Sequence, residues 1–113
     1  MRNILFLVAL IVSPAFAEEE ANDCGANDFA LQILGSGGPF GNGRASAGYL
    51  LWVDGQSRIM IDAGGGTFAH FHEAGAIIAD LQLLAIRHFH PDHSAELPAL
   101  LWPQNGPLTV VGP

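Results

Sequence analysis

Apolar positions in residues 29–113 fall in short runs separated by glycine-rich or polar breaks, a rhythm of strands and turns rather than of long helices. Residues 29–34 form the first run, with Gln32 as its one polar member, and Gly35-Ser36-Gly37-Gly38-Pro39 ends it. Residues 45–53 are continuously apolar or small, which predicts a strand covered on both faces. Asp54-Gly55 then supplies a two-residue reversal and residues 57–61 return, so a hairpin is expected. Gly64-Gly65-Gly66 breaks the strand pattern behind Asp62, and residues 67–74 suit a helix stopped by Gly75. Residues 77–86, rich in Leu and Ile, predict a turn followed by a buried strand ending near Arg87. Residues 94–101 resume helical spacing, with Leu97, Leu100 and Leu101 on one face and Pro98 in the first turn. Residues 107–113 read as a β-branched strand running into a Gly-Pro turn. The predicted order is strand, hairpin, helix, strand, helix, strand: an α/β (α+β) arrangement with a mixed sheet and flanking helices.

Residues 1–28 follow a different pattern. A basic start at Arg2, an apolar stretch over residues 4–12 and an A-x-A site at Ala15, Phe16 and Ala17 make residues 1–17 a secretory signal peptide. The stretch is shorter than the roughly 18 residues a membrane span demands. Cys24 lies seven residues past Ala17, which places no cysteine at a lipid-attachment cut. Residues 18–28, polar and acidic, form a flexible leader. The protein is thus expected to be exported, to a periplasm or to the extracellular space. In such a compartment the single Cys24 either pairs with a cysteine outside this sequence or stays an exposed thiol.

At 50% apolar and 13% charged residues, the remainder fits one small globular domain. The net charge of −7 becomes −8 once residues 1–17, whose only charged side chain is Arg2, are removed. Nucleic acid and anionic membrane both need cationic contacts, so the expected partner is a small-molecule substrate, with no nucleic acid and no membrane after signal cleavage.

Two stretches invite a chemical reading. G-S-G-G-P-F-G-N-G (residues 35–43) fails as a nucleotide fingerprint, because the third required glycine falls on Phe40 and a strand follows where the phosphate-binding helix should be. The second stretch is R-H-F-H-P-D-H-S (residues 87–94), which holds three of the five histidines. If the preceding strand extends to His90, alternation turns His88 and His90 to one side and Arg87 outward to the other. Pro91 ends the strand, leaving Asp92 and His93 in the turn that opens the next helix. Two ligand pairs side by side suit a two-metal site. The plainer alternatives are that Asp92 or Ser94 caps the helix and that single histidines sit on the surface or in the core. His70 and His72, two apart on a helix, diverge by about 200° and do not share an ion.

H-F-H-P-D-H, together with I-D-A-G-G-G and L-G-S-G-G-P, resembles the metallo-β-lactamase superfamily. Residues 88–101 resemble its arylsulfatase-type and ribonuclease Z-like branch. The resemblance implies an αββα sandwich about twice this length, of which residues 29–113 supply the first half. It implies that His88 and His90 hold one zinc and Asp92 with His93 a second, with iron or manganese as alternatives. Asp92 would also handle the proton of the attacking water. Asp62 would orient the site without binding metal, or steady the glycine turn behind it. The family's later histidine, bridging aspartate and final histidine have no counterpart after His93. The implied activity is metal-assisted hydrolysis of an ester-like, amide, sulfate or phosphate bond. A non-catalytic metal-binding module and an iron-containing redox protein of the same fold are the alternatives.

Overall fold

The structure, a computed structural model, describes residues 29–113. The signal peptide, the leader and Cys24 lie outside the described residues. The apolar runs become β1 (Phe29–Gly35), β2 (Gly48–Val53), β3 (Gln56–Ile61), β4 (Leu83–Ala85) and β5 (Thr109–Val111). Three short helices intervene: α1 (Thr67–Glu73), α2 (Pro91–Ser94) and α3 (Leu97–Leu101), with a 3-10 turn at Ile78–Asp80. The five strands form one sheet in sequence order, antiparallel across β1, β2 and β3 and parallel from β3 through β4 to β5. Asp54 and Gly55 join β2 to β3 with φ of 50° and 73°, the paired positive values of a two-residue hairpin turn that follows the strands' own twist.

One face of the sheet is the core. Leu34, Leu50, Trp52, Met60 and Leu84 pack beneath Phe71, Leu81 and Leu100. Each such side chain contributes on the order of 1.5–3 kcal/mol by leaving water. Gln32, the polar member of the first run, accepts from the Trp52 indole N–H at 2.8 Å and so satisfies a donor that burial would strand.

The opposite face corrects the expectation that residues 45–53 form a strand covered on both sides. Phe29, Leu31 and Ile33 are exposed, and Tyr49, Leu51 and Val53 are only half-buried, because no described element lies over them. Register aligns Leu31, Leu51, Ile59 and Leu83 in one row across four strands of this face. An apolar run alone does not say which neighbour covers it. β2 also starts three residues later than predicted, since Ala45, Ser46 and Ala47 bond to loops instead: Gly37 N–H to the Ala45 carbonyl, Ser46 N–H to the Gly65 carbonyl and Ala47 N–H to the Asp92 carbonyl.

The helix expected over residues 94–101 is two helices. The Glu96 N–H, which would continue α2 by bonding to the Asp92 carbonyl, bonds to the Ala63 carbonyl at 2.8 Å. The Asp92 carbonyl accepts from Ala47, and Pro98 brings no N–H of its own. Leu100 is buried, Leu97 half-buried, and Leu101 is turned outward.

Candidate metal centre

β3 and β4 run side by side in parallel and deliver their carboxyl ends to one place. Asp62, directly after β3, adopts φ 60°, a left-handed conformation that aspartate tolerates better than most residues. Its N–H bonds to the Ala85 carbonyl at the end of β4. That turn buries the Asp62 carboxylate completely and points it at the segment leaving β4.

The segment does not continue as a strand to His90. β4 ends at Ala85, and the Arg87 N–H donates to Asp62 Oδ1 at 3.0 Å, so the side chain takes the hydrogen bond that a neighbouring strand would need. The Arg87 side chain is likewise not turned away. Its Nε donates to Asp62 Oδ2 at 2.6 Å and its Nη2 lies 2.6 Å from the same oxygen, while the guanidinium passes 5.8 Å from the Tyr49 ring centroid. Strand alternation was the reason to expect it outward, and the alternation stops before Arg87.

Pro91 opens α2 at its first turn, where a missing N–H costs nothing. No side chain caps this helix: the Ser94 hydroxyl donates back to the Phe89 and His90 carbonyls, and Asp92 is free to face the pocket. The backbone is gripped from the glycine turn, with the Ala63 N–H on the His93 carbonyl at 2.7 Å and the Ala47 N–H on the Asp92 carbonyl at 3.1 Å. A Cβ on Gly64 would lie 2.2 Å from the Asp92 carbonyl oxygen, so the glycine there is a matter of space.

These constraints bring His88, Asp92 and His93 together, with one ligand atom from each within 4.8 Å of the others. The His88 and His93 ring centroids are 4.1 Å apart. His90 is exposed and stands edge-on to His88 at 4.7 Å, outside this convergent trio. Asp62 Oδ2 lies 2.9 Å from His93 Nδ1, so Asp62 contacts a histidine of the trio and is not a member of it. His70 and His72 are elsewhere: His70 Nδ1 lies 2.5 Å from the Leu34 carbonyl, and His72 stands edge-on to Phe68 and Phe71.

The electrostatics follow from this packing. Burial alone would push the Asp62 carboxyl up, but the Arg87 N–H, the His93 ring and the Arg87 guanidinium outweigh it and hold the group below the usual carboxylate range. The Arg87 guanidinium is raised further by its hydrogen bond to Asp62, against the opposing effect of burial.

The Asp92 and His93 side chains are 11% and 12% exposed. Asp92 Oδ1 is buried and has no hydrogen-bond partner, a state that costs about 1–3 kcal/mol for a buried acceptor. Asp92 Oδ2 lies 3.3 Å from His93 Nε2. If His93 donates Nδ1–H to Asp62, Nε2 carries a lone pair, and two acceptors then face each other with room for a cation. A divalent metal fits this donor set of two imidazoles and a carboxylate.

Glu96 had no signal in the sequence. It reaches across to α1, accepting from the Gly66 N–H at 2.8 Å and the Phe68 N–H at 2.6 Å. α1 has no side-chain cap of its own, and local capping patterns look for a carboxylate three residues into the helix rather than thirty residues away. Glu96 thereby ties the glycine turn behind Asp62 to the segment carrying Asp92 and His93.

Known proteins resemble this chain in sequence and fold. The chain is 42% identical over 62 residues to the ribonuclease Z of Agathobacter rectalis, covering 50% of this chain and 20% of that protein. It is 32% identical over 86 residues to the ribonuclease Z of Clostridium novyi, covering 72% and 28%. The chain thus spans less than a third of the length of these curated relatives. Among solved structures it superposes on human tRNase Z, short form, with TM-score 0.56 and 26% identity over 63% of this chain and 27% of that one. The metallo-beta-lactamase fold protein YhfI of Bacillus subtilis gives TM-score 0.58 and 23% identity over 67% and 30%, which adds the fold alone. The mixed sheet is therefore part of a metallo-β-lactamase fold, related to the ribonuclease Z metallohydrolases. Residues 29–104, which contain Asp62, Arg87 and the whole histidine cluster, match the family described as Anti-Pycsar protein Apyc1, and the chain belongs to that family.

Proposed function

We propose that this chain carries the metal-holding part of an exported, zinc-dependent hydrolase that cleaves a phosphodiester bond in a small substrate. The observation that carries the reading is the buried, unpartnered Asp92 Oδ1 beside the converging His88 and His93. Phosphodiester chemistry is favoured over lactam, lactone or sulfate ester because the relatives are named as ribonucleases, whose bond is a phosphodiester. A small substrate is favoured over RNA by the net charge of −8 expected after removal of residues 1–17.

His88, Asp92 and His93 hold the metal, with His90 as the neighbouring imidazole for a second ion. Bound there, zinc supplies Lewis-acid polarisation of the phosphoryl oxygen and a water acidic enough to act near neutral pH. Asp62 orients His93 through Nδ1. Asp92 has two carboxylate oxygens, and the one not engaged by a cation accepts the proton of the attacking water. Export rests on the pattern of residues 1–17; among the described residues no helix is long and apolar enough to cross a membrane.

The test is elemental analysis of the intact protein together with turnover of a chromogenic phosphodiester, before and after chelation and in the variant His88→Ala/His93→Ala. Zinc in the wild type, its loss in the variant and chelation-sensitive turnover are expected. Metal without turnover of any phosphodiester, lactam, lactone or sulfate ester would make the protein a metal-binding module. Iron in place of zinc with a redox response would make it an electron-transfer protein, and undiminished turnover after chelation would end the metal reading.

A further inference from the structure

Arg87 is the one charged member of the 87–94 segment that the metal-holding role does not absorb. Its backbone N–H, Nε and Nη2 together supply three of the four short polar contacts around the buried Asp62 carboxylate; His93 Nδ1 supplies the fourth. An ionised carboxylate only accepts, so the 2.9 Å contact with His93 needs the hydrogen on Nδ1. The lone pair is then on Nε2, the nitrogen that faces Asp92. Arg87 Nη2, a donor only, lies 3.3 Å from the same Nδ1, but it is 2.6 Å from Asp62 Oδ2, so the shorter contacts have Nη2 and Nδ1 both donating to that one carboxylate oxygen. The Arg87 side chain is 52% exposed, so little of its role is apolar packing.

We propose that Arg87 is a positioning residue: its fork clamps Asp62 so that His93 is held as the Nδ1–H tautomer with Nε2 turned to Asp92, and this raises the affinity of the cluster for a divalent metal. The inference rests on the metal-holding reading above. Without the fork, Asp62 keeps the Arg87 backbone N–H on Oδ1 and the His93 contact alone on Oδ2, which then has no second partner to fix its direction. Groups that orient a metal-ligating histidine in this way typically change metal affinity about 10–100-fold when removed.

Arg87→Met deletes the fork and leaves the backbone hydrogen bond in place; Arg87→Lys keeps the charge and a single donor. In the metal-free protein, long-range 15N–1H correlation of the imidazoles is expected to show one tautomer for His93 in the wild type and a mixture in R87M. Titration with Zn2+ alone is expected to give a dissociation constant about 10-fold or more higher in R87M, with R87K recovering part of both effects. Unchanged zinc affinity in R87M overturns the proposal, whatever the tautomer does. Failure of the wild type to bind zinc overturns the metal-holding reading instead, and the clamp is then decided by the metal-free tautomer, a mixture in R87M supporting it and a single form refuting it. R87K equal to R87M in both readouts, with both weaker than wild type, would assign the clamp to the two-nitrogen fork and not to the charge alone.

Discussion

Gly64→Ala puts one methyl group into the tightest point of the centre. Built on the present backbone, the new Cβ would lie 2.2 Å from the Asp92 carbonyl oxygen, 2.6 Å from the Ser46 Cβ and 2.9 Å from the Ala47 carbonyl oxygen. None of these is the far end of a flexible side chain. Relief requires the glycine turn and the Asp92 backbone to separate by roughly an ångström, which strains two hydrogen bonds, Ala47 N–H to Asp92 and Gly64 N–H to Ala47. Overpacking of this kind costs about 1–3 kcal/mol. Each of the two weakened backbone bonds adds roughly 0.5–1.5 kcal/mol, for about 2–6 kcal/mol in all. Against a total stability on the order of 5–15 kcal/mol, that is a severe loss. The same displacement moves the Asp92 donor atoms, so zinc affinity should fall with stability. Gly65→Ala is the control, because a Cβ there meets nothing within 4 Å and Gly65 has no positive φ; it should change stability by no more than about 0.5 kcal/mol. Denaturant melts and zinc titrations of the two variants make the comparison. Equal stabilities for G64A and G65A would refute the claim that backbone contact between the glycine turn and α2 builds the centre.

Other consequences are checked by similar means. Glu96→Ala leaves the Gly66 and Phe68 N–H groups at the start of α1 without their acceptor, and should lower stability by about 1–2 kcal/mol in a denaturant melt. Leu50→Ala, at a fully buried position of the core face, should cost about 2–5 kcal/mol by the same assay. Asp62 is held below the usual carboxylate range in the folded protein, so its contribution to stability is complete above the unfolded carboxyl value, near pH 4, and is lost as pH falls through the lower folded value. Wild type should therefore lose stability more steeply than Asp62→Asn on acidification below about pH 4, as read from melts across that range. Export predicts that the mature amino terminus found by mass spectrometry is Glu18; an intact Met1 in the protein outside the cell would refute cleavage after Ala17.

Much of this protein was legible along the chain. The hairpin was legible at Asp54-Gly55 because turn chemistry acts within two residues, and α1 with its Gly75 stop for the same reason. β1, β3, β4 and β5 fell where the apolar runs lie, and the density of histidine and aspartate over residues 88–93 pointed to the segment where His88, Asp92 and His93 converge. These features depend on near neighbours, whose spacing is written in the sequence. What folding decided lies between segments 25 to 45 residues apart. Ala47 and Ala63 N–H groups hold the backbone of Asp92 and His93, Asp62 draws Arg87 inward against the strand pattern, and Glu96, between α2 and α3, bonds through its N–H to Ala63 and through its carboxylate to the start of α1. His88, Asp92 and His93 are near neighbours in the chain, but the backbone that presents Asp92 and His93 to His88 is held by those distant bonds. A hydrogen bond between distant segments is chosen by where the packed sheet brings its donors and acceptors, and no periodicity or local propensity encodes that meeting.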